Sequence, residues 1–362
     1  MRSTALSPPF ALVRAAVCAL SSLCFAAACT FEVAAPPARA PSQACVDDER
    51  VLNVGFYAFF APVSYSASED PDSKEFHTHL GYEADLLTAL EAIDGAGLSF
   101  SRHPIAIWDD IWLQAATPQY DIIGGGITIL DSRTRDAAGN QVVTFTSGHI
   151  TFRQSLLVRA EDATRIATHD DLTSDVRAGA LAGTTGEFRL LELTGFVDAE
   201  GVLAGGVRIE TPAGTVTADG SPDYVITAAG ESPVLGGRQR LHPPSHSMPQ
   251  VVYLGDQAGE LELLDALEAG TIDAVARGEI GNRDAAYAHG GAFAVTALDE
   301  KVEHGGFALA AENSELASCI DRMIDWLTDD GRIDYADWRE DPAVFMQRAA
   351  MWNEGAGRVP GG

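Results

Sequence analysis

The sequence predicts an α/β protein of two domains with mostly parallel strands, and three observations point there. The chain has 362 residues, and one domain usually takes about 100–200. Hydrophobic residues make up 46% of it and recur along its length, enough for buried cores rather than global disorder. Short apolar runs alternate with segments of helical spacing, the pattern of strand–helix–strand units.

The elements follow in order. Residues 52–56 read as an apolar strand with Asn53 on its other face, and residues 59–65 as an aromatic loop around Pro62. Within 81–93, Leu86, Leu87, Leu90 and Ile93 fall on one helical face. A second strand begins at 98–100, a short helix covers 111–116, and a third strand covers 121–129 with glycines at its exit. Strands at 155–159 and 178–181 come next, with a short helix or turn at 170–172 between them. Gly183-Thr184-Thr185-Gly186 follows directly and leads into a helix at 187–193. A strand, a small-residue turn and a helix make an anion site, because the free N–H groups and the positive helix end face one point.

Residues 196–249 break the alternation. Gly, Pro, Thr and Val dominate there. Turn signals at Gly205-Gly206, Gly214, Gly220 and Gly236-Gly237 separate runs such as Val207-Arg208-Ile209 and Val225-Ile226-Thr227. We read a β-rich insertion. Beyond it come strands at 251–254, 272–276 and 307–310 and helices at 260–267, 314–327 and 342–352.

The formal net charge is −28. Such a surface repels phosphate backbones, which argues against nucleic acid as a partner and against adhesion to anionic lipid. At the N-terminus, Arg2 and Arg14 precede an apolar run over 15–28, the layout of an export signal over 1–29. The run is shorter than the roughly 20 apolar residues of a membrane span, and no later segment reaches that length. It closes as Ala26-Ala27-Ala28-Cys29, which resembles a lipobox with Cys29 as the lipidated residue; Ala26 stands where Leu is usual. The alternative is cleavage near Ala28 or Ala40 with a soluble product. Residues 30–50, with Pro36, Pro37 and Pro41, read as a tether.

Cys18 and Cys24 leave with the signal. Cys45 and Cys319 remain, either as a disulfide tying the start of the fold to its end or as two unpaired thiols. No Cys or His spacing fits a zinc site. His77-Thr78-His79 lacks a third ligand and reads as a pair of loop histidines. There is no Gly-x-Ser-x-Gly elbow and no phosphate loop.

Short motifs run in a telling order. Gly81-Tyr82-Glu83-Ala84-Asp85-Leu86-Leu87 follows the aromatic loop, and Trp108-Asp109-Asp110-Ile111 comes next. Tyr120-Asp121-Ile122-Ile123 and Gly126-Ile127-Thr128-Ile129 precede Arg133, and Phe145-Thr146-Ser147 follows. Then come Gly183-Thr184-Thr185, Leu267-Glu268-Ala269-Gly270-Thr271-Ile272-Asp273-Ala274, and Asp329-Asp330-Gly331 before Trp338. In that order the chain resembles family 3 of the bacterial extracellular solute-binding proteins, the polar amino-acid binders, over almost its whole mature length. The resemblance implies a two-lobed periplasmic-binding-protein fold of type II, with the ligand in the cleft. Lobe one would hold 51–150 and lobe two 151–304, including the insertion, and 305–362 would return to lobe one. The two hinge crossings would lie near 149–154 and 302–307.

An α-amino acid carboxylate calls for a bidentate cation and N–H donors. By motif position Arg133 is that cation, its alternative being a solvated loop arginine like Arg135. Thr128 would add a hydroxyl and an N–H, Thr184 and Thr185 their N–H groups, and Gly126 a carbonyl for the ammonium. Phe60 and Trp108 stand where the family stacks aromatics on the ligand; core packing is the alternative. The family's ammonium-binding Asp falls on Gly278 here, so either Glu279 replaces it or the ligand lacks an ammonium. The stretch from Arg133 to Phe145 is also longer than the family's, with a Gly139-Asn140 turn.

The function implied is that of a monomeric, exported, non-enzymatic binding protein without cofactor. It closes on an amino acid or similar small carboxylate and docks on an ABC permease, touching the membrane only through a lipid anchor. Two alternatives stand beside it. One is an enzyme like cyclohexadienyl dehydratase, for which Glu279 and Glu187 are the nearby candidate acids. The other is a stand-alone sensory lipoprotein of the same fold.

Overall fold

In the computed structural model the chain is described over residues 44–46, 50–255 and 259–355. The expected export signal, Cys29 and most of the tether lie outside these residues.

In chain order, lobe one opens with β1 (Leu52–Tyr57), α1 (Tyr82–Glu91), β2 (Phe100–Ile105), β3 (Ile122–Gly124) and β4 (Val143–Phe145). There follow β5 (Ile150–Arg159), β6 (Arg177–Gly179), α2 (Thr185–Leu193), β7 (Arg208–Thr211), β8 (Gly214–Thr217), β9 (Arg240–His242) and β10 (Gln250–Val252). Then come α3 (Glu260–Glu268), β11 (Ala274–Gly278), α4 (Glu279–Ala288), β12 (Phe293–Thr296), β13 (Val302–Gly305) and β14 (Ala308–Ala310). Helices α5 (Ser314–Leu327), α6 (Tyr335–Glu340) and α7 (Val344–Glu354) end the described chain.

The elements form two main sheets. The first has the order β2-β1-β3-β14-β4. Its β1 runs parallel to β2 and β3, as the alternation requires, and β14 joins antiparallel after the chain returns from the second lobe. Leu86, Leu87 and Leu90 of α1 and Ile320, Ile324 and Leu327 of α5 bury one face each in its core. The second sheet has the order β8-β7-β9-β10-β6-β11-β5-β12. The insertion is therefore no separate excursion: β7, β8 and β9 extend this sheet, with Val207, Ile209 and Leu241 fully buried.

Two strands carry the chain between the lobes. The first four residues of β5 pair antiparallel with β13, matching Ile150 with Gly305 and Phe152 with Glu303. The crossings thus fall in the expected stretches. The structure bears out the two-lobed α/β fold and corrects several details. The third strand stops at Gly124, because Gly125 and Gly126 take φ of 141° and 67° and turn the chain. A Cβ at Gly126 would lie 2.5 Å from the Phe60 ring, so the close approach also demands glycine. Buried Glu83 accepts from both glycine N–H groups, at 2.7 and 2.9 Å, and fixes that turn. The aromatic loop contains a small sheet of Phe59–Phe60, Ser64–Ser66 and His79–Leu80.

Two sequence expectations gain definite answers here. Cys45 and Cys319 are bonded, with Cα atoms 5.5 Å apart across 274 residues of chain. His77 is exposed, but His79 is no loop residue: it is buried, stacks on Phe56 at 3.9 Å and bonds Ser64 Oγ at 2.9 Å. Burial and the nearby Arg102 charge pull its pKa down to about 3, so it stays neutral.

Candidate functional site

The crossing strands bring the end of β3, the start of α2 and the end of β11 to one seam between the lobes. A cavity of about 50 Å³ lies there. From lobe one it is lined by Phe60, Trp108, Gly126 and Thr128, and from β5 by Phe152 and Gln154. Lobe two contributes Thr184, Thr185 and Gly186 at the start of α2, with Glu260 from α3 and Arg277 and Gly278 from β11.

The turn before α2 is built to leave donors free. Thr184 caps the helix, its Oγ1 accepting from the Glu187 N–H at 3.1 Å. Glu187 in turn accepts from the Gly183 N–H at 2.7 Å. Arg238 and the Tyr253 hydroxyl hold that carboxylate from behind, the latter at 2.6 Å. Among the described residues no protein acceptor takes the N–H of Thr184, Thr185 or Gly186, all three of which line the cavity. These groups carry the positive end of a nine-residue helix.

A buried polar net forms the opposite wall. Thr128 donates to Glu303 Oε2 at 3.0 Å, and its Oγ1 lies 3.3 Å from that of Thr185 in the other lobe. Gln154 Nε2 donates to Thr185 Oγ1 at 2.9 Å and to Glu303 Oε2 at 3.0 Å. Gln154 Oε1 is buried with no partner. Such an atom costs about 1–3 kcal/mol unless something reaches it. Arg277 donates to Glu260 Oε2 at 2.8 Å and to Asn282 Oδ1 at 3.2 Å. Burial raises the Glu260 pKa, and Arg277 opposes that rise. The chemistry on offer is anion binding by N–H groups in an aromatic-walled seam, with Gln154 Oε1 as an acceptor for a ligand nitrogen. Among the described residues no group of three His, Cys, Asp or Glu could hold a metal, and no helix is long and apolar enough to cross a membrane.

The structure gathers Phe60, Trp108, Gly126, Thr128, Thr184 and Thr185 around one cavity. It corrects two other expectations. Glu279 opens α4 and turns to Arg153 and Arg283, at 3.5 and 3.1 Å, outside the cavity lining. Arg133 is absent from the lining of this cavity and is fully buried. Its guanidinium donates to the carbonyls of Thr128 at 3.2 Å, Gly183 at 3.0 Å and Ala228 at 3.0 Å, and lies over Trp112 at 4.3 Å. Gly183 and Ala228 belong to lobe two, so Arg133 is a strap across the cleft rather than an open carboxylate clamp. Burial pulls its pKa down to about 9, with Glu303 and Asp110 opposing, so it remains cationic at neutral pH.

This role has its own signature. Arg133→Met keeps apolar bulk over Trp112 and removes both bonds to lobe two. A hydrogen bond from a charged donor is worth about 1.5–3 kcal/mol, so every cleft ligand should lose roughly tenfold to a hundredfold in affinity. A loss confined to carboxylates, measured by titration calorimetry, would restore the clamp.

Sequence reasoning missed Phe152, Gln154, Arg277, Glu260 and Glu303. Phe152 and Gln154 alternate on a crossing strand, a weak signal that was available. Arg277 sits inside the apolar strand Ala274–Gly278, where a charge is costly unless paired.

Residues 52–339 match the family described as bacterial extracellular solute-binding proteins, family 3. No curated protein matches in sequence. Among solved structures, the ancestral amino acid-binding protein AncCDT-1, a precursor of cyclohexadienyl dehydratase, is similar at 19% identity and TM-score 0.51, covering 83% of this chain and 95% of its own. Holo ArgBP from T. maritima is similar at 19% identity and TM-score 0.51, with 78% and 94% covered. A substrate-binding protein of an ABC uptake transporter from Streptococcus pneumoniae, with bound histidine, is similar at 18% identity and TM-score 0.52, with 82% and 92% covered.

Proposed function

The chain belongs to the bacterial extracellular solute-binding proteins, family 3, and from that premise we propose that it is the substrate-binding protein of an ABC importer, closing its cleft on an amino acid or similar small carboxylate. One observation carries the reading: three N–H groups at the start of α2 that have no acceptor among the described residues belong to residues lining a cavity whose other walls come from the opposite lobe and from Gln154 of a crossing strand. A carboxylate there would draw both lobes together, so binding and closure are one event. Gln154 Oε1, buried without a partner in the cavity lining, is the acceptor offered to a ligand nitrogen. Similar structures with bound L-arginine or histidine support the ligand class. Docking on a permease, and a lipid anchor at Cys29 after the run 15–28, belong to the same proposal.

A dehydratase reading is poorly served by the acids available. Glu187 is taken by Arg238, Tyr253 and Gly183, Glu279 faces away, and Glu260 is paired with Arg277. A thermal-shift screen of the purified chain against the twenty L-amino acids and small carboxylates tests the proposal. A cognate ligand at a hundred times its Kd stabilises by about 2.7 kcal/mol, and one compound class should do so. No shift from any compound, or phenylpyruvate formed from prephenate, would overturn it.

A further inference from the structure

The cleft cavity is small for a whole ligand. Its roughly 50 Å³ admits a head group of a few atoms, since one water already needs about 10–15 Å³. A second cavity of about 400 Å³ adjoins it, and Trp108, Leu181 and Leu263 belong to both linings. Lobe one supplies Tyr57 and Asp109 to the larger chamber, and the insertion supplies Glu231 and Gly236 through Arg238.

The charge in that chamber is acidic. Arg238 is committed to Glu187 and Glu231 and lies over the Tyr253 ring at 4.7 Å. Asp109 makes no ion pair among the described residues and is exposed to the chamber. The Tyr57 hydroxyl is buried without a partner, and its ring meets Trp108 edge-on at 5.1 Å. Aromatic faces and carboxylates together suit a cation.

The small cavity has the opposite character. Its free groups are N–H donors, and Gly278 occupies the place of the family's ammonium-binding acid. The lone buried Gln154 Oε1 suits one N–H, as an amide offers, rather than the three of an ammonium.

Resting on the function proposed above, we propose that the two cavities are one site divided by Trp108, and that its occupant is a short peptide. Its C-terminal carboxylate lies against the start of α2, its last amide N–H meets Gln154, and its N-terminal ammonium lies in the chamber walled by the insertion. The insertion thereby sets ligand length.

Calorimetry of the purified chain with the twenty L-amino acids and the twenty Ala-X dipeptides tests this. The best dipeptide should bind at least tenfold more tightly than its own C-terminal amino acid, and N-acetylating it should cost at least tenfold. Gly236→Phe should collapse that preference, since Gly236 has φ of −58° and a Cβ there meets nothing closer than 3.4 Å. Asp109→Asn, an exposed change, should weaken the dipeptide but not its N-acetyl form. A free amino acid that binds as tightly as any dipeptide overturns the inference and leaves the cleft function standing. Equal dipeptide affinity in Gly236→Phe and Asp109→Asn overturns it as well. If neither panel binds, the cleft function fails and this inference falls with it.

Discussion

Opening the Cys45–Cys319 bridge should lower the unfolding free energy of lobe one by about 3–5 kcal/mol, the upper part of the range for a native disulfide. The bond closes a loop of 274 residues, and a longer loop removes more entropy from the unfolded chain. The native side adds to this. Cys319 lies in the buried face of α5 beside Leu316, Ile320 and Met323, and the Cys45 N–H donates to the Ala96 carbonyl at 2.8 Å. The bridge therefore pins the segment before β1 onto the helix that returns from lobe two. At roughly 2–4 °C per kcal/mol for a protein of this size, the midpoint should fall by several degrees or more with reductant. The double variant Cys45→Ser, Cys319→Ser should show that lower midpoint with and without reductant. Identical midpoints for the oxidised and reduced protein would contradict the bond's structural role.

Much of the fold was legible because local signals agreed. The 3.6 spacing of Leu86, Leu87 and Leu90, the glycine turn at 183–186 and the apolar strands all pointed to α/β lobes, which the structure has. The expected mostly parallel strands are corrected: β1 pairs in parallel with β2 and β3, and β6 with β10 and β11. Most other pairs are antiparallel, because the crossings and the insertion join the sheets as returning strands. Helix α4 was not legible: Gly281 interrupts it, and only Ile280, Gly281, Asn282 and Ala285 are buried, too few for a periodic stripe. Strands were visible in the insertion from alternation at Val207 and Ile209, but nothing local says that β9 and β10 splice them onto the lobe-two sheet.

The site was half legible for a similar reason. What Thr184 and Thr185 bring to the cavity is backbone N–H without a protein acceptor among the described residues, so the turn that contains them discloses them. Arg133 acts through what it touches, and Ala228 lies 95 residues away in the insertion. Motif position placed the guanidinium in the groove; the carbonyls that occupy it are a tertiary fact. Arg277 and Glu260 show the same limit, each explained only by the other.

The N–H groups at the start of α2 are the centre of the account, and proline can remove one without breaking the helix. Thr185 is the first residue of α2, where proline's fixed φ and missing N–H are tolerated. Thr184 before it is extended, with φ of −93° and ψ of 157°, the conformation a following proline prefers. Thr185→Ala removes the methyl group and the hydroxyl shared with Gln154 and Thr128 but keeps the N–H, so comparing it with Thr185→Pro isolates the amide. A charge-assisted hydrogen bond is worth about 1.5–3 kcal/mol. Calorimetry with the most stabilising carboxylate should therefore find Thr185→Pro weaker than Thr185→Ala by roughly tenfold to a hundredfold. Equal affinities in the two variants would mean that no anion is held there.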